Sequence, residues 1–101
     1  MWWISLSGEL DFESAPRFRH ALEVATPPRG DDVVLDLSQL GFLDSSGLAS
    51  VVALYMQLER AGAGFAVVTN SAHIRRMFSV TSVDRFLPVV GDREQALAAF
   101  A

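Results

Sequence analysis

The sequence predicts an α/β domain in which a mixed, mostly parallel sheet of four to five strands packs against about four helices. Extended and helical hydrophobic periods alternate along the chain. Two short, nearly continuous apolar runs, residues 33–37 and 65–69, are typical of strands buried on both faces of a parallel sheet. A long amphipathic stretch separates these runs, and we expect this strand–helix–strand unit to have a right-handed crossover.

The first strand and the first helix are predicted from the N-terminal part of the chain. Residues 3–7 alternate apolar and polar side chains, and a loop over residues 8–11 should end this strand. Ser14 can cap the helix that follows, with Pro16 in its first turn, and the segment 26–28 should end it. The apolar face of this helix would consist of Ala15, Phe18, Leu22 and Ala25.

The second strand, residues 33–37, should be followed by a loop over residues 38–43. Either Asp44 or Ser45 can cap the second helix, which should end near Gly62. Its apolar face would consist of Leu48, Val51, Val52, Tyr55 and Leu58.

The third strand, residues 65–69, should lead into a helix capped by Asn70 or Ser71. Residues 87–90 indicate an edge strand, because Pro88 cannot donate a hydrogen bond to a central ladder. The helix before this strand would bury Ile74, Met77 and Phe78.

A last short helix is predicted near the C-terminus. Asp92 and Gln95 have the spacing of a capping box. The apolar face of this helix would consist of Ala96, Leu97 and Phe100.

Length and composition indicate one domain, residues 1–101, and exclude several functions. The chain has no cysteine, which excludes disulfides, thiolate nucleophiles and cysteine-ligated metal centres. Its net charge of −4 argues against a nucleic-acid partner. Because the N-terminus lacks the features of a signal peptide and no apolar run is long enough to span a bilayer, we expect a cytoplasmic protein without a membrane partner.

The segment 43–48 is the main candidate for a functional site, because it joins a loop to the start of an amphipathic helix. Unpaired amide groups and the helix dipole favour an anion there, so a phosphate on Ser45 or Ser46 would be tolerated. The alternative is that Asp44 or Ser45 simply caps the helix.

Three segments of the chain resemble the anti-sigma factor antagonists of the STAS domain class. Residues 8–11 resemble the loop after the family's second strand, residues 33–38 its central strand, and residues 42–48 its phosphorylation-site motif. The resemblance implies a single STAS-like domain in which Ser46 is the phosphoacceptor and Ser45 the second candidate. The flanking residues would be Asp11, Asp44, Ser45 and Gly47.

The resemblance also implies a switch that is not an enzyme and needs no cofactor or metal of its own. The unphosphorylated family member binds an anti-sigma factor that is also a serine kinase of the histidine-kinase-like ATPase fold, and the bound sigma factor is released. The kinase supplies ATP and Mg²⁺, and phosphorylation ends the complex. A metal-dependent serine phosphatase restores the active form, and the protein itself would be a monomer or a weak homodimer.

The second helix also carries the predicted partner-binding surface. Small and polar residues recur at spacings of three and four from Ser46, opposite the predicted apolar face. A solvated helix face is the alternative interpretation of the same pattern. The predicted partner-binding residues are Ala49, Ser50, Ala53, Met56, Gln57 and Arg60.

The chain departs from the family pattern at two places. Family members usually have a further strand before the one predicted at residues 3–7, whereas this sequence begins almost directly with Trp2 and Trp3. Either that strand is absent and an edge is exposed to a partner or a second copy, or the natural start lies upstream. In residues 80–86 the family commonly has a glycine after the threonine, so the loop conformation there is expected to differ.

Four other functions remain as alternatives. A serine hydrolase would need His20 or His73 as its base, and a metal site would draw on Asp11, Asp36, Asp44 and His73. The Arg75–Arg76 pair could contact phosphate or nucleic acid, although a single pair in an acidic chain is usually part of a solvated helix face. The main competitor is a STAS scaffold, or an accessory subunit of a transporter or signalling complex, that binds its partner without phosphorylation.

Overall fold

The computed structural model describes residues 1–24 and 31–100 and confirms the α/β class. Strands and helices alternate along the whole described chain. The elements are β1 (Trp2–Leu10), α1 (Ala15–Val24), β2 (Val33–Leu43), α2 (Ser45–Arg60), β3 (Phe65–Val68), α3 (Ala72–Val80), a 3₁₀ turn (Val83–Arg85), β4 (Val89–Val90) and α4 (Arg93–Ala98).

The described strands form a four-stranded sheet in the order β1-β2-β3-β4, and each neighbouring pair is parallel. The larger core lies on the face covered by α1, α2 and α3, which contribute Phe18, Leu54 and Phe78 among others. The smaller core lies on the other face, where Ala96 and Phe100 from the α4 region pack against Val34, Ala66 and Val68.

The first strand is longer than predicted, because β1 continues through Gly8 to Leu10. Gly8 has a positive φ of 83°, a conformation that glycine adopts without steric cost. The pairing of β1 with β2 shifts register twice, between Ser5 and Ser7 and between Gly8 and Glu9. The predicted loop over residues 8–11 is therefore wrong, since these irregularities bend the strand without ending it.

The second strand is also longer than predicted, since the expected loop over residues 38–43 is part of β2. Its second half pairs with the second half of β1, placing Leu40 opposite Gly8 and Leu43 opposite Leu10. Leu40 and Leu43 are both buried in the larger core. Because the two long strands pair to their last residues, the start of α2 lies next to the end of β1.

Ser14 directly precedes α1, at the position predicted for its cap, and its carbonyl accepts from the amide of Phe18, but its side chain is hydrogen-bonded within the preceding turn. The Ser14 amide donates to Asp11 Oδ1 at 2.9 Å, and the Asp11 amide donates to Ser14 Oγ at 2.9 Å. This reciprocal pair has the arrangement of a capping box over residues 11–14, which was not predicted from the sequence. The predicted helix end at 26–28 and the side chain of Ala25 lie outside the described residues.

The caps of α2 and α3 fall on predicted residues. Asp44, one of two candidates, accepts a hydrogen bond from the amide of Gly47, and Ser71, also one of two, accepts one from the amide of Ile74. The buried side of α2 also includes Leu54, which the predicted apolar face omitted, whereas Val52 and Tyr55 are only partly buried.

The C-terminal elements are shorter than predicted. The edge strand β4 includes only two residues, because the Leu87 amide donates to the carbonyl of Val83 before the strand begins. Asp92 caps α4 as expected, but the Gln95 side chain accepts from the amide of Gly91 instead of the amide of Asp92. Leu97 was predicted in the apolar face, yet it is exposed.

Ser82 follows Thr81, at the position where the family commonly has a glycine. It has a left-handed conformation with φ 62°. Among the described residues it is the only non-glycine residue with a positive φ. A serine therefore adopts the kind of conformation that favours glycine, at a steric cost of about 1–2 kcal/mol.

Candidate functional site

The candidate site lies where the ends of β1 and β2 meet the first turn of α2. Leu10 and Leu43 pair as the last residues of their strands. The amide of Asp44 then donates to the carbonyl of Leu10 at 3.3 Å. The predicted motif, residues 43–48, is therefore held against the end of the edge strand.

Asp44 organises this junction through both oxygens of its carboxylate. Oδ1 accepts a hydrogen bond from the amide of Gly47 at 2.9 Å, which caps α2. Oδ2 accepts one from the amide of Phe12 at 3.0 Å, which fixes the turn before α1. Asp44 thus has a structural role in addition to its predicted place beside the phosphoacceptor.

Gly47 allows the close packing of α2 against the strands. It is buried, and a Cβ at this position would lie 2.8 Å from the Leu10 carbonyl carbon and 2.8 Å from Leu43 Cδ1. The same Cβ would overlap the Leu10 carbonyl oxygen. Sequence reasoning placed Gly47 beside the site but did not find this contact, which depends on the long β1–β2 pairing.

Ser46 is the second residue of α2 and lies at the edge of a groove of about 470 Å³. Its side chain is partly exposed, and its hydroxyl has no hydrogen-bond partner within residues 1–24 and 31–100. Ser45 is exposed too, but it does not line the groove. The two serines therefore differ in their surroundings, because Ser46 lines the groove and Ser45 does not.

The groove lies between the turn before α1, the start of α1 and the outer side of α2. Phe12 and Glu13 line it from the turn, Pro16 and Arg19 from α1, and Ala49 from α2. Phe12 is 77% exposed, the largest exposure among the described large apolar side chains. Sequence reasoning did not select Phe12 or Arg19. The available signal for Phe12 was an aromatic residue between two acids, in the short stretch between the predicted loop 8–11 and the predicted cap Ser14.

The predicted partner-binding surface needs one correction. Ser50 is only 3% exposed, and its hydroxyl donates to the carbonyl of Ser46 at 3.1 Å. Ser50 is buried because α1 packs beside it. Arg19 and Leu22 of α1 line the same depression as Ser50. The remaining predicted residues are exposed on α2, namely Ala49, Ala53, Met56, Gln57 and Arg60.

Asp11 was predicted to flank the phosphoacceptor, but its carboxylate is used inside the turn. The Ser14 backbone amide, and after it the Ser14 hydroxyl, hold the pKa of Asp11 below its ordinary value. Asp11 does not line the groove beside Ser46, whereas Glu13 does. The acidic residue that lines the groove is therefore Glu13 and not Asp11.

Among residues 1–24 and 31–100, the side chains named for the enzymatic alternatives are not gathered at the groove. His20 and His73 are exposed and do not line the groove, and His73 stacks on Phe42 with ring centroids 6.4 Å apart. In the described part of the chain, no three His, Cys, Asp or Glu side chains are grouped so that they could hold a metal ion. Nor do the described helices include one long and apolar enough to cross a membrane.

Comparison with known sequences gives a consistent set of relatives. A family model described as "Mlab, STAS domain" matches residues 3–90. The chain is 28% identical over 95 residues to the anti-sigma F factor antagonist of Paenibacillus polymyxa, a match that covers 93% of this chain and 81% of that protein.

Comparison with solved structures agrees. The crystal structure of an anti-sigma factor antagonist from Mycobacterium paratuberculosis matches with a TM-score of 0.85 and 33% identity, over 96% of this chain and 82% of the other. A murine solute carrier 26 anion transporter contains a similar fold, with a TM-score of 0.82 and 21% identity over 97% of this chain and 17% of the transporter. The second likeness concerns the fold alone.

Proposed function

This chain belongs to the STAS domain family, and we propose that it is an anti-sigma factor antagonist controlled by phosphorylation of Ser46. Unphosphorylated, it binds an anti-sigma factor that is also a serine kinase, and the sigma factor held by that kinase is released. Phosphorylation of Ser46 ends the complex, and a metal-dependent serine phosphatase restores it.

The observation that carries this proposal is the position of Ser46. Its hydroxyl has no hydrogen-bond partner in the described structure, its side chain is partly exposed, and it lies at the edge of an open groove. It is also in the first turn of a helix, where the dipole and unpaired amides stabilise an added negative charge. A phosphate there is compatible with the fold.

The surroundings of Ser46 support an external source for the phosphoryl-transfer chemistry. A serine hydroxyl is a weak nucleophile without a general base. The carboxylate of Asp44 already accepts hydrogen bonds from two backbone amides. The base, Mg²⁺ and ATP are therefore assigned to the kinase, and this chain supplies only the hydroxyl.

Phosphorylation would change the binding surface more than the fold. A phosphate adds about −1.5 to −2 charges at neutral pH, so the net charge falls from −4 to about −6. The added charge lies at the groove, beside the exposed Ala49 one turn along α2. A partner whose contact fits a neutral hydroxyl loses that contact when the phosphate is present.

The direct test is incubation with an anti-sigma kinase and Mg-ATP, followed by intact mass measurement and site mapping. We expect one added phosphate, located on Ser46, which the Ser46→Ala variant does not acquire. Ser45→Ala is the matched control and should be phosphorylated normally. A kinase that is active on other antagonists but leaves Ser46 unmodified would instead favour a scaffold or transporter-accessory STAS domain.

A further inference from the structure

We propose that Arg19 is the internal counter-ion of the Ser46 phosphate, so that the phosphorylated protein closes its own groove. This inference rests on the proposed phosphorylation of Ser46 and adds a residue on α1 to the switch. Arg19, which lines the groove, would then bind the phosphate in addition to any contact that the groove makes with a partner.

The two residues line the same groove from neighbouring helices. Ser46 lines it from α2 and Arg19 lines it from α1. The α1 and α2 residues that line the groove beside them include the small side chains Ala15, Ala49 and Ser50. The space of about 470 Å³ is therefore open to a phosphate and to a long flexible side chain.

The charges favour the same pairing. Arg19 is exposed and has no ion-pair or hydrogen-bond partner that the described residues supply. Of the side chains that line this groove in the described structure, it is the only basic one. A guanidinium presents a planar set of N–H donors that matches phosphate oxygens in a bidentate geometry.

The carboxylates of Asp44 and Asp11 keep their negative charge, but their oxygens are engaged in hydrogen bonds and so compete less for Arg19. Both carboxylate oxygens of Asp44 accept backbone hydrogen bonds, and Asp11 is bonded to Ser14 within its own turn. Glu13 is exposed on the groove wall, where it repels the phosphate and attracts Arg19. A phosphate carries up to two negative charges, so it attracts Arg19 more strongly than the single carboxylate of Glu13 does.

The consequence is a switch that works by covering a surface. An arginine drawn across the groove to the phosphate covers the space between Ser46 and Pro16, where a partner side chain would otherwise enter. Charge repulsion and occupation of the groove then act in the same direction. This distinguishes the proposal from a switch in which the phosphate acts by repulsion alone.

The test is a phosphorus NMR titration of protein that carries phosphoserine at position 46, installed by genetic encoding so that no kinase is needed. A nearby guanidinium stabilises the dianion and lowers the second pKa of the phosphate. We expect Arg19→Gln to raise that pKa by about 0.5 or more, the size of one exposed charge contact. Arg19→Lys, which keeps the charge but loses the planar donors, should lie between the two.

Arg17→Gln is the matched control. Arg17 lies two residues earlier on the same exposed helix but lines a different depression, beside Ser14 and Leu40. Equal titration curves for the Arg19 and Arg17 variants would overturn the proposal. Because the phosphoserine is installed without a kinase, that result leaves the proposed function intact. A kinase that does not modify Ser46 would overturn the proposed function without changing the titration.

Discussion

Gly47 packs against the carbonyl group of Leu10, with no room for a side chain between them. A Cβ at position 47 would lie 2.8 Å from the carbonyl carbon and would overlap the oxygen. This contact joins the first turn of α2, which carries Ser46, to the last residue of the edge strand. The position of the proposed phosphoacceptor therefore depends on a glycine one residue later.

The Gly47→Ala variant should be destabilised by about 2–3 kcal/mol, because the added methyl group meets backbone and not a flexible side chain. Chemical denaturation measures the loss. Gly41→Ala is the control, since its Cβ would meet only the Gly8 carbonyl oxygen at an ordinary 3.5 Å. Equal stability of the two variants would show that α2 can move away from Leu10 at little cost.

Asp11 should contribute a pH-dependent part of the stability. Hydrogen bonds from the Ser14 amide and hydroxyl lower its pKa in the folded state below the ordinary 3.8. Its contribution is therefore complete above about pH 3.8 and disappears as the pH falls through the lower folded-state pKa. Carboxyl-carbon NMR should show this pKa rising in the Ser14→Ala variant. An unchanged pKa would mean that the Ser14 hydroxyl does not contribute and that the backbone amide alone lowers the pKa of Asp11.

The Ser82→Gly variant should be more stable than the natural sequence by about 0.5–1 kcal/mol, because glycine removes the steric cost of φ 62° and only part of the gain is lost to chain entropy. Ser79→Gly is a control of the same chemistry within α3. There the substitution should destabilise the helix by about 0.5 kcal/mol. Melting curves that shift in the same direction for both variants would contradict the account.

The exposed side of α2 gives a prediction about partner binding. Ala53→Arg adds a long cation at an exposed position on this helix, so we expect about tenfold weaker binding to the anti-sigma kinase, or about 1.4 kcal/mol, with an unchanged melting curve. Ala98→Arg places the same group on α4, which packs on the opposite face of the sheet, and should bind normally. Normal binding by the Ala53 variant would remove this surface from the proposed interface.

The sequence predicted the order of the elements well, because each depends on local features. Apolar runs, helical periods and capping residues such as Asp44 and Ser71 act over a few neighbouring positions. The ends of β1 and β2 were wrong because Gly8 and the polar residues after Leu37 look like turns in sequence. Pairing between the two strands extends both of them past these signals.

The site was predicted in part for the same reason. The motif around Ser46 is continuous in sequence, whereas its groove is formed by residues more than 25 positions apart, such as Arg19 and Ser46. Ser50 has the helical spacing of the predicted binding surface, so it was assigned to that surface. The spacing does not indicate which part of α2 is covered by α1, and α1 packs beside Ser50. Packing between helices decides which side of α2 remains exposed.

The central claim is that phosphorylation of Ser46 controls partner binding. The most direct measurement is the affinity of an anti-sigma kinase for the unmodified protein and for the protein that carries phosphoserine at position 46, by calorimetry at one salt concentration. We expect the phosphate to weaken binding at least about a hundredfold, or about 2.7 kcal/mol. Equal affinities would contradict the account and would identify a STAS domain that holds its partner regardless of phosphorylation.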